Sequence, residues 1–253
     1  MPADDASFQL MTALVYRAGS SDERFPLLSR HFARLKAAHA AFQQEEPSSW
    51  CSRVAMPSDD QMLVALHAAV QAAQREGNEG DLRLRLLVQE TGEPRVEAFP
   101  LTPMPEYPVR LVLDDRPSSY SDPCMRYKTT RRKKYDDARS RRGATLHPSD
   151  APDAPPFDAI LWNAKGEVTE TTIANIAFRF RDRPHEPYLT PRTECGLLQG
   201  VMRSELLEIG SIQEATILVE EVKKAARDNS LSVICFNAVR GIFSAYVAID
   251  DSV

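Results

Sequence analysis

Lys128 opens the run Lys128-Thr129-Thr130-Arg131-Arg132-Lys133-Lys134-Tyr135, in which five of the seven residues from Lys128 to Lys134 are cationic. Crowded like charges favour the neutral amine of a lysine, and a neutral amine can form a Schiff base with a carbonyl compound. Charge runs ordinarily face water, so the same residues also read as a solvated basic helix or a phosphate-binding patch. A second candidate is Glu170, in Glu167-Val168-Thr169-Glu170-Thr171-Thr172-Ile173-Ala174-Asn175. A carboxylate at the end of a hairpin strand can hold a protonated pyridine nitrogen; an exposed edge-strand glutamate has the same pattern.

Three further segments could bind phosphate. Thr190-Pro191 is followed by Gly196-Leu197-Leu198-Gln199-Gly200-Val201-Met202-Arg203, and glycine just before a helix leaves backbone N–H groups aimed at whatever lies in front of them. Asn237-Ala238-Val239-Arg240-Gly241 could supply a second set of amides. Both also read as ordinary turns. In His31-Phe32-Ala33-Arg34-Leu35 the arginine could reach a phosphate with its two-pronged guanidinium, or lie along the surface. His31, His39, His67, His147 and His185 have no metal-ligand spacing, so no metal is expected.

The elements that must position these residues follow from periodicity and punctuation. Phe8–Tyr16 reads as a strand. The stripe Leu28, His31, Phe32, Leu35, Ala38, His39 and Phe42 predicts a helix over Pro26–Phe42. Gln61–Arg75 predicts another helix, stopped by Gly77, and Leu82-Arg83-Leu84-Arg85-Leu86 alternates like a half-buried strand. Arg95–Phe99 and Val109–Leu113 read as strands. Seven prolines fall between Pro94 and Pro123, a stretch in which neither a helix nor a central strand is expected. A charged helix is predicted over Thr129–Arg142, placing Lys128, Arg132, Tyr135, Arg139 and Arg142 on one face. After a loop over Leu146–Pro156, Phe157–Trp162 and Glu167–Glu170 form a hairpin. Ile173–Phe180, Ala215–Glu220 and Leu231–Phe236 are read as strands and Gly200–Ile209 as a helix. The mixture is α+β with mostly antiparallel sheets. Two domains are expected, at 1–113 and 124–253, joined by a linker at 114–123.

The 253 residues are 43% hydrophobic and 26% charged, with a net charge of −5. That composition excludes disordered, collagenous and coiled-coil classes and disfavours a nucleic-acid binder. No apolar stretch approaches the ~18–20 residues of a membrane span. The N-terminal Met1-Pro2-Ala3-Asp4-Asp5 is acidic where a secretory leader would be basic. Cys51, Cys124, Cys195 and Cys235 lie 73, 71 and 40 positions apart, which points to separate thiols in a cytoplasmic protein.

Taken in order, the motifs resemble those of the fold type IV pyridoxal-phosphate enzymes. These are H-x-x-R-L at His31, K-T-x-x-R at Lys128 and G-x-V-x-E-x-x-x-x-N from Gly166 to Asn175. T-P-x-x-x-x-G-L-L-x-G-x-x-R from Thr190 and N-x-x-R-G at Asn237 follow. The resemblance covers about Phe8 to Val247. It implies pyridoxal 5'-phosphate as cofactor, with Lys128 as the Schiff-base lysine and proton carrier and Glu170 paired with the ring nitrogen. It further implies that Arg34 and the amides of Val201, Met202, Asn237 and Ala238 bind phosphate, and that Asn175 lines the pocket. The cofactor is expected between the two domains of a homodimeric enzyme.

Within the family, Y-K-T-T-R-x-x-x-Y-D-x-A-R from Tyr127 to Arg139 looks most like the fungal-type aminodeoxychorismate lyases. Met11-Thr12 stands where many transaminases of this fold carry a glutamate, and N-A-V-R-G resembles the lyase form of the second phosphate loop. The implied reaction converts 4-amino-4-deoxychorismate to 4-aminobenzoate and pyruvate. An aminotransferase acting on branched-chain, D- or aromatic amino acids is the alternative. Thr12 is a candidate for protonating the leaving group, and Arg240, Arg132 and Arg83 are candidates for the substrate carboxylates. Lys133 replaces the tyrosine that branched-chain aminotransferases carry five residues after the lysine.

Overall fold

The computed structural model describes residues 8–21, 23–182 and 187–249; His185 and Asp22 lie outside them. The protein is α+β, and its contacts divide it into two compact units. One comprises residues 1–102 with Tyr127–Arg131, the other 103–126 with 132–253.

The first unit is an antiparallel sheet in the order β1 (Leu10–Tyr16), β2 (Leu82–Val88), β3 (Pro94–Pro100), carrying two helices. Helix α1 (Leu28–Glu45) buries His31, Phe32, Leu35, Ala38, His39 and Phe42, the stripe read from the sequence. Helix α2 (Asp59–Arg75) starts two residues before its apolar pattern does, because Ser58 and Gln61 cap each other reciprocally. The alternation of β2 turns Leu82, Leu84 and Leu86 into the core, each fully buried aliphatic side chain contributing about 1.5–3 kcal/mol. Proline opens and closes β3, which is tolerable at the edge of a sheet.

The outer edge of β1 binds the Lys128 segment. The Met11 amide donates to the Lys128 carbonyl at 2.9 Å, and the Thr130 amide donates to the Gln9 carbonyl at 3.0 Å. Backbone groups paired with a strand cannot also build a helix, so the charged helix does not begin at Thr129. It is α4, Lys133–Arg141, and Lys128 is not on its face.

The second unit holds an eight-stranded sheet. Its strands are β4 (Val109–Leu113), β5 (Asp158–Trp162), β6 (Val168–Thr171), β7 (Asn175–Phe180), β8 (Tyr188–Pro191), β9 (Ile212–Ala215), β10 (Leu231–Asn237) and β11 (Gly241–Ala248). Their spatial order is β6-β5-β4-β11-β10-β7-β8-β9. Six of the nine strand pairings in the two sheets are antiparallel. Strand β4 is interior, parallel to both β11 and β5, which corrects the expectation that no central strand lies in the proline-rich stretch. The prolines flank Val109–Leu113 without interrupting it, so no ladder donor is lost. Asp114, just beyond, is buried and accepts from Arg141 Nε at 3.0 Å and Nη2 at 2.6 Å.

The strand expected at Ala215–Glu220 is also corrected. Strand β9 ends at Ala215, and Val219–Arg227 is helix α6, burying Val219, Val222 and Ala225 at helical spacing. The β5–β6 hairpin forms as expected. A short helix α3 (Pro123–Arg126) and helix α5 (Val201–Glu208) complete the unit. Strand β7 begins two residues later than read, because Thr171–Ala174 is a turn closed by the Thr171 hydroxyl bonding the Ala174 carbonyl at 3.0 Å.

Candidate active site

The sequence-derived residues fall into two constellations, one in each unit. In the first, α1 presents His31 and Arg34 to Thr12 of β1. Arg34 Nη2 donates to Thr12 Oγ1 at 2.6 Å, and the same oxygen lies 2.7 Å from His31 Nδ1. Thr12 and His31 are completely buried. Burial, followed by the nearby charges of Arg34 and Lys128, holds the imidazole well below its usual range, so His31 is neutral. The Thr12 hydroxyl thus meets Arg34 on one side and the His31 ring on the other. Thr12 therefore sits inside a network that orients Arg34.

Desolvation pulls the Arg34 guanidinium down to about 10, still charged at neutral pH. Among the described residues its Nε is a buried donor with no acceptor. Such a group is costly unless an anion meets it. The Lys128 segment completes this unit's set, and Lys128 itself is half-buried. Arg83 is exposed on β2 and lies over the Phe99 ring at 4.7 Å.

The second constellation centres on Glu170, which is 3% exposed on β6. Glu170 Oε1 lies 2.9 Å from the Tyr135 hydroxyl and accepts the Leu198 amide at 3.0 Å. Leu198 belongs to the loop before α5. Its carbonyl accepts from Asn175 Nδ2 at 2.9 Å, so one peptide neighbourhood ties Glu170 to Asn175. Asn163 holds the same loop through the Cys195 carbonyl at 2.9 Å. Gly196 has φ +86, and a Cβ there would lie 2.5 Å from the Tyr120 ring. Helix α5 follows Gly200 with no side-chain cap, so the amides of Val201 and Met202 begin a helix at a loop fixed on several sides.

Gly200 has an ordinary φ of −70, and its requirement is steric. A Cβ at this position would stand 2.0 Å from Asn175 Oδ1. Gly200→Ala is expected to rotate Asn175 out of its bond to Leu198 and to lower stability by about 1–3 kcal/mol. Thermal unfolding checks this, and Asn175→Ala added to that variant should recover part of the loss.

Asn237 also acts as an organiser. Its Oδ1 accepts the amides of Val239 at 3.0 Å and Arg240 at 2.8 Å, while its Nδ2 donates to the Ile173 carbonyl at 3.2 Å. The turn carrying Ala238 is thereby tied to the turn between β6 and β7. Arg132 donates to the Thr172 carbonyl of that turn at 2.6 Å and stacks on the Tyr135 ring. Arg240 contacts Met104 Sδ at 2.9 Å and lies over Phe157. Lys133 pairs with Asp137 across one turn of α4.

Sequence reasoning assigned no role to Tyr135, Tyr120, His31, Asp158 or Leu198. His31, Tyr135 and Leu198 stood inside quoted motifs, and His31 and Tyr135 also on the helix faces read from the sequence; Tyr120 and Asp158 had no signal. Asp158 is buried and binds the Thr172 hydroxyl and the amides of Ala159 and Ile173, bracing the turn between Glu170 and Asn175. Burial raises its carboxyl against those bonds. Among the described residues no cluster of histidine, cysteine or acidic groups could hold a metal ion, and no helix is long and apolar enough to cross a membrane.

The arrangement offers a lysine on a strand edge, a buried arginine with an unmet donor, an uncapped helix start and a clamped carboxylate. Comparison with known proteins gives these a common context. A family model described as amino-transferase class IV matches residues 11–245. A Schizosaccharomyces pombe protein named "Putative aminodeoxychorismate lyase" is 30% identical over 217 residues, covering 85% of this chain and 81% of that protein. The structure of a "Putative amino-acid aminotransferase" from Mesorhizobium loti is 26% identical with TM-score 0.74, covering 95% of this chain and 100% of that one. A "Putative 4-amino-4-deoxychorismate lyase" structure from Legionella pneumophila shares the fold at 19% identity and TM-score 0.69, covering 94% and 82%.

Proposed function

The chain belongs to the amino-transferase class IV family, and from that premise we propose that it is a pyridoxal-5'-phosphate-dependent lyase. The reaction converts 4-amino-4-deoxychorismate to 4-aminobenzoate and pyruvate, a step of folate synthesis. The observation that carries the cofactor chemistry is Glu170, a buried carboxylate whose Oε1 is held by a phenol and a backbone amide. A carboxylate so fixed suits the protonated nitrogen of a pyridine ring.

The other residues fit the same group. Arg34, with its unmet buried Nε, would bind the phosphate together with the amides of Val201, Met202, Asn237 and Ala238. Asn175 would act through the Leu198 loop, and Thr12 and His31 would hold Arg34 at its angle. When bound, the cofactor supplies an electron sink for negative charge at the carbon bearing the substrate amine. Lys128 would anchor the cofactor and, once displaced by the substrate amine, remove the proton from that carbon. Breaking the neighbouring ring-carbon–oxygen bond would then make the ring aromatic and release enolpyruvate, which becomes pyruvate on taking up a proton equivalent to the one Lys128 removed, and return of the Lys128 amine to the cofactor would free 4-aminobenzoate. Two substrate carboxylates need cationic partners: Arg240, Arg132 and Arg83 are the residues to test, in that order. The proposal includes a homodimer, from the family resemblance, and a cytoplasmic location, from the cysteine spacing.

The lyase assignment is supported by the curated relative's name and by the Met11-Thr12 and Asn237–Gly241 segments. The second reading, an aminotransferase, is favoured by the likeness to the Mesorhizobium loti protein. Incubation with freshly generated aminodeoxychorismate, followed through 4-aminobenzoate fluorescence, separates them. The lyase yields 4-aminobenzoate and pyruvate in equal amounts with no keto acid added. Absence of product from cofactor-loaded protein, together with amino transfer from an amino acid to a keto acid, would replace the lyase by the transaminase.

A further inference from the structure

Resting on that reading of the site, we infer that Tyr135 is a positioning residue: its hydroxyl, paired with the Leu198 amide on the same oxygen, keeps the Glu170 carboxylate ionised and aimed for a cationic ring. Tyr135 projects from α4, and Tyr135 and Glu170 are both buried. The Tyr135 hydroxyl lies 2.9 Å from Glu170 Oε1 and 3.1 Å from the Met125 carbonyl. The carboxylate is the stronger acceptor because the bond to it is charge-assisted. Burial, then the charge of Glu170 and the neighbouring Tyr120, holds the phenol well above its usual range. Tyr135 therefore stays a protonated donor through the acidic and neutral range.

The need for such a donor follows from the location. A carboxylate taken out of water is driven towards its neutral form, and donors to the charged form oppose this. A neutral Glu170 would present no counter-charge to a pyridinium. Titratable and charged groups described near this carboxylate within the second unit include Tyr120, Arg132 and Asp158. Tyr120 bonds the Thr169 hydroxyl next to Glu170, Arg132 stacks on the Tyr135 ring, and Asp158 binds the Thr172 hydroxyl. Of the three side-chain hydroxyl and guanidinium donors among them and Tyr135, it is Tyr135 that the geometry places on Glu170 Oε1.

The test measures pyridoxal 5'-phosphate affinity across pH for the full chain and for Tyr135→Phe. Affinity should fall as pH drops through the titration of Glu170. Removing a donor from the charged form raises the Glu170 pKa, so the fall in Tyr135→Phe should occur about one pH unit or more higher than in the parent protein. In Glu170→Gln that titration should be missing, with or without Tyr135. Difluorotyrosine at position 135 keeps the ring in place and makes a stronger donor, so it should move the midpoint down; this arm decides the matter if Tyr135→Phe fails to fold. An unmoved midpoint, with affinity lowered equally at all pH values, would reduce Tyr135 to a packing residue and overturn the inference. Failure of the unaltered protein to bind the cofactor would instead overturn the proposed function.

Discussion

Replacing Lys128 with alanine is expected to remove the visible absorption band of the lysine-bound cofactor and to cut 4-aminobenzoate formation by roughly 10⁴-fold, the upper end of what a positioned proton-transfer group contributes. The fold should survive. Lys128 joins β1 through its backbone carbonyl, which accepts the Met11 amide, and alanine keeps that bond. The melting temperature of the apoprotein checks this half of the expectation, and the visible spectrum the other. A variant that retained the band would remove Lys128 from the chemistry, whatever its turnover.

Glu170→Gln has the second largest expected effect, and it separates binding from chemistry. Glutamine is nearly isosteric, and its amide oxygen can still accept the Leu198 amide and the Tyr135 hydroxyl that meet at Oε1. The loop leading to α5 should therefore stay in place, and phosphate binding with it. What disappears is the negative charge beside the ring nitrogen. The side chain is 3% exposed, so little water stands ready to replace that charge. Turnover is expected to fall by about 10²–10³-fold, the range for removing one preorganised electrostatic partner of a transition state. Retained cofactor with that loss fits the assignment. Turnover near that of the parent protein would mean that the ring's charge is balanced by another group.

The sequence singles out these two residues for a physical reason. Lys128 and Glu170 each stand in a short motif whose neighbours must also be particular types, so order and separation set them apart as candidates. The helices α1 and α2 were legible because an apolar stripe at three- and four-residue steps has few other uses. The path of Thr129 to Arg132 was not. Its composition is that of a charged helix, but its backbone bonds lie with Gln9 and Met11, more than a hundred residues away, and no local pattern reports them. The start of helix α6, Val219 and Glu220, was read as the end of a strand because Ala215 to Glu220 is rich in apolar and β-branched residues, while the capping residue, Glu221 accepting from the Leu218 amide, lies just past it.

The site shows the same division. Motifs singled out Arg34, Asn175 and Asn237 as candidates, but not the partners that hold them. Asn175 holds a loop carbonyl, Asn237 stitches two turns together, and Thr12 bonds Arg34 and His31. Each of these depends on residues brought together by folding. Tyr120 and Asp158 carry no distinctive spacing at all and could be recognised only from the structure, and Leu198, although inside the motif from Thr190, owes its role to a backbone amide that its side chain does not report.

If Lys128 carries the cofactor, covalent trapping will find it there. The holoprotein would be reduced with borohydride, digested and mapped by mass spectrometry for a pyridoxyl-modified lysine. A single modified peptide containing Lys128 is expected, absent from Lys128→Ala. A modification on Lys133, Lys134 or any other lysine, or a cofactor that washes away unreduced, would contradict it.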